Sequence, residues 1–301
     1  MQTETQNFTL LSSSFEGGEE EAIKALVKEK YGQIANQSFK ENATSCCGAT
    51  ASCCGDEVYN IMSDDYTELD GYNADADLGL GCGLPTAFAK MKTGDTVIDL
   101  GSGAGNDCFV ARKAVGENGK VIGIDFTEQM IAKARENADK LGFNNVEFRY
   151  GDIDNMPVTS NKADVIVSNC VLNLVPGKHK VFSEIFRVLK SGGHFSISDI
   201  VLQGYLPEKW KQVAELYAGC VAGAIQKEAY LGMIEEAGFE NITIQKEKEI
   251  ILPEDILANY LSAEEITAYK SGTTKIVSIT VYADKPAKDE HNCCEPGGGC
   301  C

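Results

Sequence analysis

"VIDLGSGAGND", residues 97–107, decides the fold: an apolar run, then a turn with Gly101, Gly103 and Gly105, then the start of a helical period. Glycine lets the backbone turn sharply and lets a ligand approach the main chain, and the first turn of the following helix offers unpaired N–H groups. Outward from this point, short β-rich runs alternate with helical periods. They read "TVIDLG", a helix from Asn106, "VIGID", a helix from Thr127, "VEFRY", "ADVIVSN", a helix from Lys178, and "HFSISDI". Such alternation predicts parallel pairing with right-handed crossovers, hence an α/β, doubly wound, Rossmann-like sheet. Upstream, Ile23, Leu26, Val27, Tyr31 and Ile34 recur at helical spacing over Glu19–Ala35. Beyond Asp199 a helix is expected from about Pro207, with Trp210, Val213, Leu216, Tyr217 and Cys220 on one side, and a second carries Tyr230, Met233 and Ile234 and stops at Gly238. Two later runs, "ITIQKEKEI" and "IVSITVYA", either add antiparallel strands to the sheet or close a smaller domain. Between them "SAEE", residues 262–265, has the form of a capping box that opens a helix.

The 301-residue chain carries 27 Lys and Arg against 45 Asp and Glu, a formal charge of −18. That field repels phosphate backbones and anionic lipid, so neither nucleic acid nor a membrane is expected as a partner. The opening "MQTETQNFTLL" lacks the basic and apolar regions of a signal peptide, and no apolar run reaches the roughly 20 residues of a spanning helix. A cytoplasmic location is therefore expected, and there the 12 cysteines point to ligand binding or redox chemistry rather than a disulfide scaffold.

The glycine turn reads G-x-G-x-G, unlike the dinucleotide pattern, and acids flank it at Asp99 and Asp107. Carboxylates so placed repel a pyrophosphate and suit a cofactor with a positive centre and an ammonium group. Asp125 ends the second β run, where an acid can accept hydrogen bonds from ribose hydroxyls, and "YGDID" with Asp152 and Ile153 follows the third. Either acid alone is equally readable as a strand-end turn residue. Together, over about residues 94–200, these features resemble the class I S-adenosylmethionine-dependent methyltransferases. The resemblance implies that Asp99 and the glycine loop, with Gly101, Ser102 and Gly103, hold the methionine part, Asp125 the ribose, and Asp152 with Ile153 the adenine; Asp107 belongs to the same cofactor-binding set. Met130 and Asn169 complete the implied cofactor set.

The cysteines fall into singles and pairs. Cys170 ends the fourth β run in "SNCVLNLV" and Cys220 lies in "AGCVAGA"; either alone also reads as a small packed hydrophobe. Cys82, in "GLGCGLP", is expected in an exposed turn, and Cys108 in packing. "SCCGATASCCG", residues 45–55, and "CCEPGGGCC", residues 293–301, add two double pairs that suit soft-metal binding or thiol exchange. The three histidines, 179, 194 and 291, fall at a turn, a strand start and the tail, and none is expected to act as a base.

With this core, the set Cys82, Cys170 and Cys220 plus an N-terminal cysteine cluster resembles the arsenite methyltransferases over about residues 20–285. The resemblance implies methyl transfer from S-adenosylmethionine to trivalent arsenic held by those three thiolates, with arsenite or its thiol conjugates as substrate. It also implies thioredoxin or small thiols as reductant, and a turnover disulfide between Cys82 and one of Cys46, Cys47, Cys53 and Cys54, with Cys53 taken as the candidate. The expected divisions are an N-terminal helix and Cys-rich cap (1–60), a methyltransferase domain (61–200), a smaller α+β arsenic-binding domain (201–285) and a Cys-rich tail (286–301). Two rivals stand beside it: a methyltransferase for an organic acceptor whose cysteines bind a structural metal, and a non-catalytic thiol-rich sink for arsenite or metals.

Overall fold

The computed structural model describes residues 17–36, 64–204, 223–251, 254–258 and 261–287. The helix expected around Trp210 and Cys220, both double cysteine pairs and His291 lie outside these residues. In chain order the elements are α1 (Gly17–Ala35), α2 (Pro85–Phe88), β1 (Thr96–Leu100), α3 (Asn106–Val115), β2 (Lys120–Asp125), α4 (Glu128–Leu141), β3 (Val146–Tyr150) and β4 (Ala163–Asn169). A single 3-10 turn (Leu172–Leu174) leads to α5 (Lys178–Val188), β5 (Leu189–Gln203), α6 (Lys227–Glu236), β6 (Glu240–Glu249), α7 (Glu254–Ala258), α8 (Ala263–Ser271) and β7 (Lys275–Asp284).

The strands form one sheet in the order β3-β2-β1-β4-β5-β7-β6. β1 to β5 are parallel, β7 runs antiparallel to β5, and β6 antiparallel to β7. "ITIQKEKEI" and "IVSITVYA" thus extend the main sheet, and the smaller C-terminal α+β region is built onto its edge. β5 begins at Leu189, ahead of the expected "HFSISDI".

Successive residues of a strand face opposite sides, and here each side has its own core. Ile98, Leu100, Ile122 and Ile166 pack with Val181, Phe182 and Ile185 of α5 and Tyr230 of α6. Val97, Val121, Val165 and Val167 pack with Phe109 and Val115 of α3 and Met130 and Ala134 of α4. Burial on both faces is why these strands read as continuous apolar runs. Helix ends follow local chemistry: Gly142 takes φ 68° after α4, and at α8 the Ser262 side chain and the Glu265 side chain each accept the other's backbone N–H, the expected capping box.

The chain order reverses at β1, which has β2 on one side and β4 on the other, and open α/β sheets bind ligands beyond the carboxyl ends of the strands at such a point. Among the described residues no helix is long and apolar enough to cross a membrane.

Candidate active site

The carboxyl ends of β1, β2 and β4 open into a cleft. Its floor is the glycine turn, where Gly101, Gly103 and Gly105 have φ of 66°, 52° and 101°. A side chain at Gly101 would lie 2.4 Å from Val171, whereas one at Gly103 would meet nothing within 4 Å, so there the left-handed backbone alone calls for glycine. Asp125 braces this turn: one carboxylate oxygen accepts the Gly103 N–H at 3.0 Å and the other the Thr127 N–H at 2.8 Å.

Two further acids form the wall. Asp99 on β1 is buried and accepts the Cys108 S–H at 3.3 Å. Asp107, in the first turn of α3, is partly buried and accepts from the Tyr66 hydroxyl at 2.9 Å and from Thr86 at 3.3 Å. Desolvation raises Asp107 to about 6 against these donors. Desolvation, reinforced by the charge of Asp107, holds Asp99 well above the carboxylate range. Among the described residues neither acid makes a salt bridge. The hydroxyls of Ser102 and Thr127, which also line the cleft, are buried without a hydrogen-bond partner. Acids wanting a cation, orphaned hydroxyls and glycine-lined main chain together fit an ammonium- and sulfonium-bearing cofactor such as S-adenosylmethionine.

At the opposite end Ile153 is buried, Asp152 is half exposed, and Met130 is buried against the cleft. Lys24 of α1 reaches across to Asp154 at 2.8 Å and Asp152 at 3.6 Å. Every residue of the expected cofactor set therefore lines one cleft. Lys24, Tyr66 and Thr127 are additions to this lining that the sequence did not mark: Tyr66 sits in an aperiodic polar stretch, and Lys24 is one of several lysines on its helix.

Cys170 follows β4 with φ 61°, lines the cleft, and donates its N–H to Ser198 O at 2.8 Å. Its sulfur is bonded to that of Cys82, 88 residues earlier, with the Cα atoms 5.7 Å apart. Cys82 is not in an exposed turn; it is fully buried. Its flanking glycines serve close packing: a side chain at Gly81 would lie 2.6 Å from Asn169, and one at Gly83 2.5 Å from Ser198. The bond that Cys82 makes here is to Cys170; Cys220, Cys53 and the rest of the N-terminal cluster lie outside the described residues. Cys108 is buried, and burial together with the Asp99 charge pushes its thiol well up, in keeping with packing. His179 is exposed on α5, His194 sits within β5 with Nε2 2.6 Å from Ala89 O, and neither lines the cleft.

Residues 91–238 match the family model described as "Methyltransferase domain". The chain is 40% identical over 285 residues to the arsenite methyltransferase of Halobacterium salinarum, spanning 90% of this chain and 68% of that protein. It belongs to the arsenite methyltransferase family. The family member of Aquipseudomonas alcaligenes is 31% identical over 78% of this chain and 67% of its own length. The human one is 33% identical over 72% of this chain and 58% of its own length. Among solved structures, the arsenic(III) S-adenosylmethionine methyltransferase of Chlamydomonas reinhardtii superposes with a TM-score of 0.56 at 31% identity, covering 68% of each chain.

Proposed function

We propose that this protein transfers a methyl group from S-adenosylmethionine to trivalent arsenic held by Cys82, Cys170 and Cys220, and so serves arsenic detoxification. The observation that carries this is the meeting of Cys82 and Cys170, from distant parts of the chain, at the wall of a cleft lined by Asp99, Asp107 and Asp125. Asp99 and Asp107 receive the ammonium group, the orphaned Ser102 hydroxyl and the glycine turn the rest of the methionine part, Asp125 the ribose, and Ile153 with Met130 and Asp152 the adenine. When bound, the cofactor supplies a methyl carbon made electrophilic by its sulfonium. Three thiolates grip arsenic in a pyramid and leave its lone pair on the open side, so the nucleophile has no proton to lose. Holding that lone pair at the cleft removes much of the entropic barrier to reaction.

The Cys82–Cys170 disulfide is the oxidised, substrate-free form of the site. Two equivalents of a thiol reductant, from thioredoxin or small thiols, open it to two thiols and leave as a disulfide, after which arsenic binds. The N-terminal cysteine pairs, Cys53 among them, relay arsenic or electrons to Cys82, and the tail cysteines scavenge soft metal.

The test is incubation with arsenite, S-adenosylmethionine and a thiol, followed by speciation of the arsenic. Methylated arsenic appearing only with the complete mixture, and lost in Cys170→Ser and Cys220→Ser, is the expected result. Cofactor turnover without arsenite, or full activity in Cys220→Ser, contradicts the proposal.

A further inference from the structure

The segment around Cys82, "GLGCGLP", has glycine at positions 79, 81 and 83, so it has little side-chain packing of its own to hold the sulfur in place. The structure holds it instead through its main chain. The Asn169 side-chain oxygen accepts the N–H of Cys82 at 3.0 Å and of Gly83 at 3.3 Å, and its NH2 donates to Gly83 O at 2.8 Å. From the other side Ser278 of β7 donates its hydroxyl to Cys82 O at 2.6 Å. Both peptide groups that flank Cys82 are thereby tied. The Asn169 NH2 also donates to the Tyr66 hydroxyl, which fixes the orientation of the amide.

Asn169 is also the residue before Cys170, whose own N–H is anchored on Ser198 O. One residue therefore locates both sulfurs, Cys170 through the chain and Cys82 through hydrogen bonds. An aspartate would lose the donor to Gly83 O and would set a further carboxylate beside Asp107, and an aliphatic residue would leave buried N–H groups unpaired.

We infer that Asn169 is a positioning residue that sets the separation of the Cys82 and Cys170 sulfurs, and with it the bite of the thiolate pair toward arsenic. The second half of this statement rests on the arsenic ligation proposed above; the first does not.

The test uses the full-length protein and three measurements. The first is the equilibrium constant for closing the Cys82–Cys170 disulfide in glutathione buffers, read by alkylation and peptide mass mapping. There two protein thiols and oxidised glutathione exchange for one protein disulfide and two glutathione thiols, so the constant reports the effective concentration of the two sulfurs. The second is arsenite affinity of the reduced protein, and the third is affinity for S-adenosylhomocysteine. Asn169→Ala is expected to lower the first two about tenfold or more, since several hydrogen bonds to the Cys82 segment are lost together; because Asn169 also lines the cofactor cleft, the control for the third is Ser278→Ala, in which it stays within about threefold. Ser278→Ala acts on Cys82 from the opposite side and is expected to shift the same two quantities in the same direction by less. It supplies the test should Asn169→Ala fail to fold. A wild-type disulfide constant in Asn169→Ala overturns the inference, as does a loss confined to S-adenosylhomocysteine, and so does an unchanged constant in Ser278→Ala if that is the variant that folds. A fallen disulfide constant with unchanged arsenite affinity upholds the positioning role and contradicts the ligation proposal instead.

Discussion

Asp107→Asn asks whether the cleft is built for a cation. Asp107 titrates near 6 because desolvation outweighs the hydrogen bonds from Tyr66, Asn169 and Thr86, and the Asp77 charge adds to the rise. Its neighbour Asp99, on β1, is likewise held well above the carboxylate range, by desolvation first and then by the Asp107 charge. A ligand ammonium takes the ionised carboxylate, so affinity must fall as pH drops through the pKa. With that pKa, roughly one carboxylate in eleven is ionised at pH 5 against nearly all at pH 7.5, which predicts about tenfold weaker binding from Asp107 alone. The Asn variant keeps an acceptor for Tyr66 and Thr86 but loses the charge. Loss of a charge-assisted contact predicts ten- to hundredfold weaker binding at pH 7.5. It also predicts a shallower slope toward acid, because the carboxylate that titrates near 6 is no longer there. The assay is calorimetric titration of both proteins with S-adenosylhomocysteine at half-unit steps from pH 5 to 7.5, where the ligand's amino group stays largely protonated. A flat wild-type profile would refute the reasoning, and so would an identical slope in the variant.

Three other substitutions probe separate parts of the fold and site. Asp125→Ala removes the acceptor for the Gly103 and Thr127 N–H groups, and should weaken S-adenosylhomocysteine binding ten- to hundredfold while arsenite affinity holds; equal loss of both, measured by titration, contradicts it. Gly83→Ala brings a methyl group to 2.5 Å from the Ser198 hydroxyl, which is itself paired with Thr280 at 2.8 Å, and should destabilise the protein by about 1–3 kcal/mol in urea denaturation. Tyr230→Phe removes the donor to Asp199 at 3.2 Å; burial raises Asp199 to about 7, and the Tyr230 hydrogen bond works against that rise by favouring the ionised form. The loss should therefore be about 1.5–3 kcal/mol at pH 8, where Asp199 is ionised, and smaller at pH 5.5, where it is protonated; denaturation curves of equal shift at both pH values would count against this.

How far the sequence speaks depends on whether a feature is local. β1, β2 and β4 are legible because strands buried on both faces leave unbroken apolar runs, and the α8 capping box is legible because its two partners lie three residues apart. The Asp99, Asp125 and Asn169 positions follow from strand ends in the same way. Whether β6 and β7 close their own domain or extend the sheet is not local: it depends on the ten residue pairs that β7 makes with β5, and alternation alone does not name a partner strand. The burial of Cys82 was hidden for a related reason. Glycine neighbours mark a turn and a close approach equally well, and only the position of Asn169 and Ser198 decides between them. Tyr66 and Lys24 left no signal, since each reaches the cleft from a segment whose pattern is set by other needs.

The same sheet order that makes a cofactor cleft also explains why the nucleophile should be soft. β1 and β4 are neighbours at the reversal point, so Asp99 of β1, Asp107 beyond it and the Cys170 sulfur after β4 share one wall. Among the described residues that wall holds no histidine, and its carboxylates already have other duties: Asp125 braces the turn, while Asp99 and Asp107 await a cation. An oxygen or nitrogen acceptor generally wants a base within hydrogen-bond reach as it attacks, and these acids are poorly free to serve. A lone pair on thiolate-bound arsenic makes no such demand. What it does demand is that sulfurs from distant parts of the chain be held at one fixed separation. The buried Cys82 segment, tied at both peptides between β4 and β7, meets that demand.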